Sequence, residues 1–140
     1  MLKQQIERLF NTYLQAFHHT DIEAVRSCYV LPCTLSTPDE LKLVLDTDQF
    51  NQAFTDIFAQ LEAASVTKIG ASKASFNQLT DTVVSAAVDW QFYDDSEALF
   101  TEFTALYQLI KINSDWAIIN VISHDISQSI AFSETFQIKG

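Results

Sequence analysis

The spacing of apolar residues changes along this chain, and that change constrains the fold more than any other feature. Before about residue 64 the longer segments place apolar residues every three or four positions, which predicts amphipathic helices. After that point apolar residues mostly alternate with polar ones, which predicts strands. Helices followed by strands are typical of an α+β domain with an antiparallel sheet. We therefore predict two or three amphipathic helices packed on one curved antiparallel sheet.

Three helical segments are predicted. The first carries one apolar stripe, formed by Leu2, Ile6, Leu9, Phe10, Tyr13, Leu14 and Phe17. Thr20 and Glu23 fit a capping box, which predicts a short second helix over residues 21–27. Asp46 or Thr47 caps the third helix, whose apolar residues are Phe50, Ala53, Phe54, Ile57, Phe58, Leu61 and Ala64.

The strands form one hairpin between the helices and a meander after them. Turn residues 36–40 join a strand that contains Pro32 to a strand over residues 41–45, and Pro32 predicts a bent or edge strand. Further strands are predicted over about 66–77, 82–92, 99–112 and 116–124, with Gly70 marking a bulge in the first of them.

The last two of these strands are apolar on both faces. In the final strand Trp116, Ile118 and Ile122 are predicted to lie opposite Ala117, Ile119 and Val121. A sheet with one solvated face alternates cleanly, so both faces are covered here. The helices cover one face, and we expect a second copy of the chain to cover the outer one as a homodimer.

Composition indicates which classes of partner and which cellular compartment to expect. The chain has 18 acidic and 8 basic residues, a formal charge of -10, and its basic residues are scattered, so we expect neither nucleic acid nor membrane as a partner. Cys28 and Cys33 match no zinc or redox spacing. Two free thiols favour a reducing compartment, and we expect a cytoplasmic protein without a cofactor.

The order of these elements resembles the nuclear-transport-factor-2-like (NTF2-like) superfamily, which includes SnoaL-like polyketide cyclases and ketosteroid isomerases. Residues 20–25 resemble its helix-turn-helix opening, and residues 109–118 resemble its closing hairpin, where a polar turn precedes Trp-x-Ile. Pro32-Cys33 and His124-Asp125 resemble an uncharacterised bacterial branch of it.

The resemblance implies a cystatin-like α+β roll, in which a cone-shaped sheet wraps the N-terminal helices and leaves a pocket at its open end. It covers residues 1–125 as a single domain and leaves 126–140 as a tail, which is an added strand, a segment draped over a neighbouring subunit, or mobile. The catalytic Tyr and Asp pair of the isomerases and the glycine-rich C-terminal pattern of the cyclases have no matching positions here. Neither activity is therefore carried over.

His124 and Asp125 are the candidate catalytic residues, because they end the last long strand near the expected opening and a His beside a carboxylate is a common general base. Adjacent strand residues point to opposite faces, so the alternative is a strand end that returns to solvent. The candidate pocket-lining residues, each of which could instead be ordinary core, are Tyr13, Phe17, Tyr29, Cys33, Trp90 and Tyr107.

No metal site is expected, since the adjacent His18 and His19 diverge on a helix. The sequence contains no phosphate loop, nucleophile elbow or metal-binding spacing. We therefore expect a domain that binds a small apolar molecule in the cone. The alternatives are a proton-transfer enzyme of isomerase, cyclase or hydrolase type that uses His124, and a dimeric interaction protein whose cone is filled.

Overall fold

A computed structural model describes residues 1–139 and gives the elements in this order: α1 (Leu2–His18), α2 (Ile22–Arg26), β1 (Tyr29–Ser36), β2 (Leu41–Val44), α3 (Thr47–Ala63), β3 (Val66–Thr80), β4 (Val83–Asp94), β5 (Leu99–Ile112), β6 (Asp115–His124), a 3₁₀ helix (Ile126–Gln128) and β7 (Glu134–Thr135). The seven strands form one sheet in the order β2-β1-β6-β5-β4-β3-β7. The predicted α+β class is confirmed.

The sheet is antiparallel except where β1 runs parallel to β6. The two strands of this parallel pair are joined by a long connection that contains β2, α3 and the strands β3 to β5, as parallel pairing requires. Register shifts interrupt the pairing of β3 with β4, of β5 with β6, and of β1 with β6 around Pro32. Each shift bends its strand and increases the local twist. The result is a curved, open sheet that holds α1 against its concave face.

Local sequence explains the helix boundaries. The side chain of Asp46 accepts a hydrogen bond from the Gln49 amide at 2.9 Å and caps α3. Asp21, not the predicted Thr20, caps α2, because its carboxylate accepts the Ala24 amide at 3.1 Å. Thr20 instead takes a left-handed conformation, with φ of 47°, in the turn between α1 and α2.

A bulge in β6 reverses the alternation that the sequence predicts. Gln108 pairs with Asn120 while the next residue of β5, Leu109, pairs with Ile118, so Ile119 is the extra residue. Val121 is consequently buried at 8% exposure, and Ile122 faces outward at 39%. The prediction that Ile122 shares a face with Trp116 is wrong for this reason. The predicted bulge at Gly70 is also misplaced, since Gly70 pairs regularly with Gln91 and the shifts fall on either side of it.

The tail after β6 crosses the convex face of the sheet and returns to α1. Ser129 donates a hydrogen bond to the buried Asp89 carboxylate at 2.6 Å, and the same carboxylate accepts Thr104 at 2.6 Å. β7 then pairs with β3, and the Phe136 ring reaches the core. Gly140, the last residue of the predicted tail, lies outside the described residues.

Candidate ligand-binding site

A cavity of about 710 Å³ lies between the helices and the concave face of the sheet. Its exposed lining residues define a mouth, and its buried residues define a floor. The mouth residues are Thr37, Pro38, Gln60, Phe100, Glu102 and Asp125. The floor residues are Tyr13, Leu14, Tyr29, Phe54, Ile69, Trp90, Phe92, Ala105, Tyr107 and Val121. A cavity of this size with a mainly apolar lining is typical of small-molecule sites.

The polar groups of the floor converge from four different elements. Tyr13 belongs to the apolar stripe of α1, Tyr29 begins β1, and Trp90 and Tyr107 point inward from β4 and β5. The Trp90 indole N–H donates to the Tyr107 hydroxyl at 2.9 Å. The Tyr13 and Tyr29 hydroxyls share a hydrogen bond of 3.1 Å, and the Tyr13 and Tyr107 ring centroids are 6.0 Å apart. We call these three tyrosines and Trp90 the hydroxyl cluster.

Burial keeps the hydroxyl cluster protonated. Removal of the three tyrosines from water raises the pKa of each phenol well above its ordinary value. Charge repulsion from Tyr29 raises the pKa of Tyr13 further, and repulsion from Tyr107 raises that of Tyr29 further. The three hydroxyls are therefore neutral near neutral pH. They offer O–H donors in an otherwise apolar space.

Phenylalanine rings form much of the remaining wall. Phe17 packs edge-on against Phe54, with ring centroids 6.1 Å apart, and Phe92 lies 5.7 Å from Phe103. All four line the cavity, and only Phe17 is among the residues that the sequence predicted for it. Strand alternation could have identified the two wall residues of the sheet, because Phe92 shares a face with Trp90 and Phe103 shares one with Tyr107.

His124 and Asp125 lie at the rim of this cavity, on the last residue of β6 and the residue after it. The His124 Nε2 is 3.0 Å from the Gln128 carbonyl oxygen. Asp125 caps the 3₁₀ helix, and its Oδ1 accepts the Ser127 amide at 2.8 Å. The hydrogen bonds from Ser127, with a smaller contribution from His124, lower the pKa of Asp125 below its ordinary value.

Five of the six residues predicted to line the pocket do border the cavity: Tyr13, Phe17, Tyr29, Trp90 and Tyr107. Cys33 does not border the cavity, and its side chain is buried in the core. Burial also raises the pKa of the Cys33 thiol to about 11, so it is protonated and a poor nucleophile near neutral pH.

Residues 1–139 bring together no group of three or more His, Cys, Asp or Glu side chains that could hold a metal ion. His18 and His19 are both exposed at the end of α1. Within the same residues, no helix is long and apolar enough to cross a membrane.

A helix held in the hollow of a curved sheet, with an apolar cavity beside it, defines the class of cystatin-like α+β rolls. Within that class, a family model described as NTF2-like protein (DUF6841) matches residues 3–126. The chain belongs to this family, which confirms the resemblance stated from the sequence. No curated protein matches the chain.

Solved structures share the fold at low sequence identity. An NTF-2-like protein of unknown function from Shewanella oneidensis MR-1 matches with a TM-score of 0.73 at 12% identity, over 89% of this chain and 100% of that chain. A protein of unknown function with a cystatin-like fold from Nostoc punctiforme PCC 73102 gives 0.70 at 13%, over 87% and 89%. A ketosteroid isomerase-like protein from Erwinia carotovora atroseptica SCRI1043 gives 0.64 at 19%, over 88% and 95%. These likenesses establish the fold alone.

Proposed function

We propose that this protein binds a small, largely apolar molecule that carries a hydrogen-bond-accepting oxygen. The observation that carries this proposal is the hydroxyl cluster, which places buried O–H donors at the floor of an apolar cavity of about 710 Å³. Ligand sites commonly combine an apolar wall with a few convergent polar groups that fix the ligand's orientation.

The number of hydroxyl hydrogens at the floor indicates that it can donate a hydrogen bond to a ligand. Tyr13, Tyr29 and Tyr107 supply three hydroxyl hydrogens, and the hydrogen bond between Tyr13 and Tyr29 uses one of them. The Trp90 N–H takes one acceptor position on Tyr107 and adds no acceptor of its own. At least one O–H is thus left to bond a ligand. A carbonyl or ether oxygen satisfies it, whereas a purely apolar ligand leaves it without a partner.

A matched pair of ligands tests this proposal. 2-Acetylnaphthalene and 2-ethylnaphthalene have nearly the same shape, and only the first has an acceptor oxygen. We expect calorimetric titration to show binding of the acetyl compound about five- to tenfold tighter, since one neutral hydrogen bond contributes about 1 kcal/mol. Tyr29→Phe should reduce this preference, whereas Tyr93→Phe, which removes a hydroxyl outside the cavity lining, should leave it unchanged.

Two results would contradict the proposal in different ways. Equal affinity for both compounds would remove the role of the hydroxyl cluster while leaving an apolar binding site. No binding of either compound at their solubility limit would remove the binding function itself.

A second candidate function is proton transfer by His124, as an isomerase, cyclase or hydrolase acting on a small apolar substrate. The Gln128 carbonyl can only accept, so the 3.0 Å contact supports a tautomer with the hydrogen on Nε2 and a free lone pair on Nδ1. Exchange of the methyl hydrogens of bound 2-acetylnaphthalene for deuterium in D₂O, followed by NMR, tests this function. An acceleration that His124→Gln abolishes would favour the enzyme, and no acceleration would favour the binding protein.

We further propose that the convex face forms a homodimer. Leu41, Ser36, Ile122 and Leu106 follow one another across β2, β1, β6 and β5. Leu41 is 71% and Ile122 39% exposed, which supports a surface that a second copy covers. Light scattering should give a dimer that Ile122→Lys dissociates. Leu79→Lys, a matched change at another exposed apolar residue, should leave it intact, and a wild-type monomer would contradict the proposal.

The proposed compartment is the cytoplasm. Cys28 and Cys33 are both free thiols in this fold, which supports a reducing environment. Fractionation of cells that express the tagged protein tests this proposal, and recovery outside the cytoplasmic fraction would contradict it.

A further inference from the structure

The C-terminal tail passes from the convex side of the sheet to the concave side around the outer edge of β3. Ser129 anchors it on the convex face by donating to Asp89 at 2.6 Å. Residues 134–135 then pair with β3 at the edge of the sheet. Beyond them, the amides of Gln137 and Lys139 donate to side chains of α1 at 3.0 and 2.7 Å. The tail therefore joins the edge of the sheet to the helix that the sheet holds.

One side chain of the tail reaches the layer behind the cavity floor. The Phe136 ring packs against Phe10 of α1, with ring centroids 5.4 Å apart. Phe10 is fully buried and does not line the cavity. Its ring lies edge-on against Tyr107, at 4.9 Å, and against Tyr13, at 6.3 Å. Both tyrosines belong to the hydroxyl cluster, so Phe136 supports the floor from behind through one intervening ring.

The tail also begins at the cavity. His124 and Asp125 border the cavity, and the 3₁₀ helix follows them directly in the chain. The Asp125 side chain caps that helix by accepting the Ser127 amide at 2.8 Å. Both ends of the tail are therefore connected to the ligand site, one at its rim and the other behind its floor.

Few apolar contacts hold the tail in place. Among residues 126–139, Phe136 alone is buried, and β7 pairs with β3 over two residue pairs. Several hydrogen bonds of the tail lie at exposed positions, such as the bond from the Ser133 amide to Asn77 at 3.0 Å. Segments with few buried apolar contacts open locally at a lower free energy than the core does. We therefore expect the tail to undock while the sheet stays folded.

We propose that the tail is a strap that holds the cavity floor in its ligand-binding form, with Phe136 as its positioning residue. While the tail is docked, Phe10 is fixed and the hydroxyl cluster is aligned for the acceptor oxygen of a ligand. Ligand binding and tail docking therefore stabilise each other. This inference rests on the binding function proposed above and concerns the regulation of the same cavity.

The coupling has a simple physical cause. Undocking removes the Phe136 ring and leaves a gap beside Phe10, and rings next to a gap lose contacts and shift into it. Hydrogen bonds weaken steeply when their geometry is distorted, so the undocked form binds an acceptor oxygen less tightly. A ligand that binds one of two forms more tightly shifts the equilibrium towards that form. Because this linkage is reciprocal, a bound ligand favours the docked tail by the same factor.

Hydrogen exchange of the wild-type protein tests the coupling without any substitution. The amides of Phe136, Gln137 and Lys139 donate hydrogen bonds in the docked tail, so they exchange when it opens. We expect NMR to show that saturating 2-acetylnaphthalene slows this exchange about fivefold, in line with one neutral hydrogen bond. The control is the Leu45 amide, which donates to Gln49 at 2.9 Å outside the cavity lining and should exchange at an unchanged rate.

Substitution of Phe136 tests the role of its ring. Phe136→Ala should reduce the preference for 2-acetylnaphthalene over 2-ethylnaphthalene from about five- to tenfold to about twofold or less. Phe136→Leu keeps a large apolar side chain and should retain most of the preference. Phe132→Ala, at a half-buried ring of the same tail, is the matched control and should retain all of it. A general loss of stability weakens both ligands equally, so it leaves this ratio unchanged.

Three results have distinct meanings. Tail amides whose exchange the ligand does not slow, or slows no more than that of Leu45, would overturn the inference, and this measurement decides the matter even if Phe136→Ala does not fold. A full preference in folded Phe136→Ala would overturn the role of the ring. Failure of both naphthalene compounds to bind the wild-type protein would instead refute the binding function on which the inference rests.

Discussion

Replacement of Phe136 by Ala tests whether the C-terminal tail is part of the folded domain. The Phe136 ring is 4% exposed and lies 5.4 Å from the ring of Phe10 and 5.9 Å from that of Phe76. The flanking backbone is held as well, since the Phe136 amide donates to the Ala74 carbonyl at 3.0 Å. The tail therefore inserts an aromatic side chain between α1 and β3.

The expected loss follows from this burial. Replacing a buried Phe by Ala costs about 3–5 kcal/mol, from lost transfer free energy and from the cavity left behind. The lower end applies here, because Phe136 is near the chain terminus and its neighbours can relax into the gap. A domain of 140 residues has an unfolding entropy of about 0.3 kcal/mol/K, so about 3 kcal/mol lowers Tm by about 10 °C.

Thermal unfolding followed by circular dichroism measures this shift. Phe132→Ala is the matched control, because Phe132 lies in the same tail and is only half-buried, so it should lower Tm by clearly less. If Phe136→Ala unfolds at the wild-type temperature, the tail does not contribute to the fold in solution. The docking of Phe136 against α1 would then be wrong.

Three further predictions concern stability and reactivity. Asp89→Ala should lower the free energy of unfolding, measured in urea, by about 1–3 kcal/mol, because it leaves the fully buried Thr104 hydroxyl without its acceptor. Asp89→Asn should lower it by less, and equal losses in the two variants would contradict this account. Asp46→Ala should cost about 1 kcal/mol through loss of the α3 cap, measured in the same way, and no loss would contradict the cap. The thiols of Cys28 and Cys33, whose pKa burial raises to about 11, should react with iodoacetamide far more slowly in folded than in urea-unfolded protein. Equal alkylation rates in the two states would contradict the burial of these thiols. Because the folded pKa of each thiol exceeds the ordinary value of 9.0, the thiols stabilise the fold fully below pH 9.0, and this stabilisation should be lost as the pH rises towards 11.

Local patterns accounted for the elements and their order. The stripe that includes Phe10, Tyr13 and Phe17 predicted α1, and alternation predicted strands that match β4 and β5 to within a few residues. These predictions succeed because the periods of 3.6 and 2 residues are properties of the backbone itself. The charge of -10 and the scattered basic residues are likewise evident from composition and order alone.

The site itself was only partly visible in the sequence. Tyr13, Tyr29, Trp90 and Tyr107 could be named as aromatic residues with polar ends, but nothing local places their polar groups together at one floor. The sequence also predicts Cys33 as a pocket-lining residue, with ordinary core as the alternative. In the folded chain Cys33 is 2% exposed in the core and does not line the cavity.

The remaining features are set by tertiary structure. The bulge at Ile119 reverses the faces of Val121 and Ile122, because one unpaired residue shifts every later side chain to the other face. The hydrogen bond from Ser129 to Asp89 joins residues 40 positions apart, and such pairings leave no period in the sequence. Local order sets the spacing of apolar residues along each helix and strand. Which faces meet, and where a cavity remains between them, is decided only when the whole chain is folded.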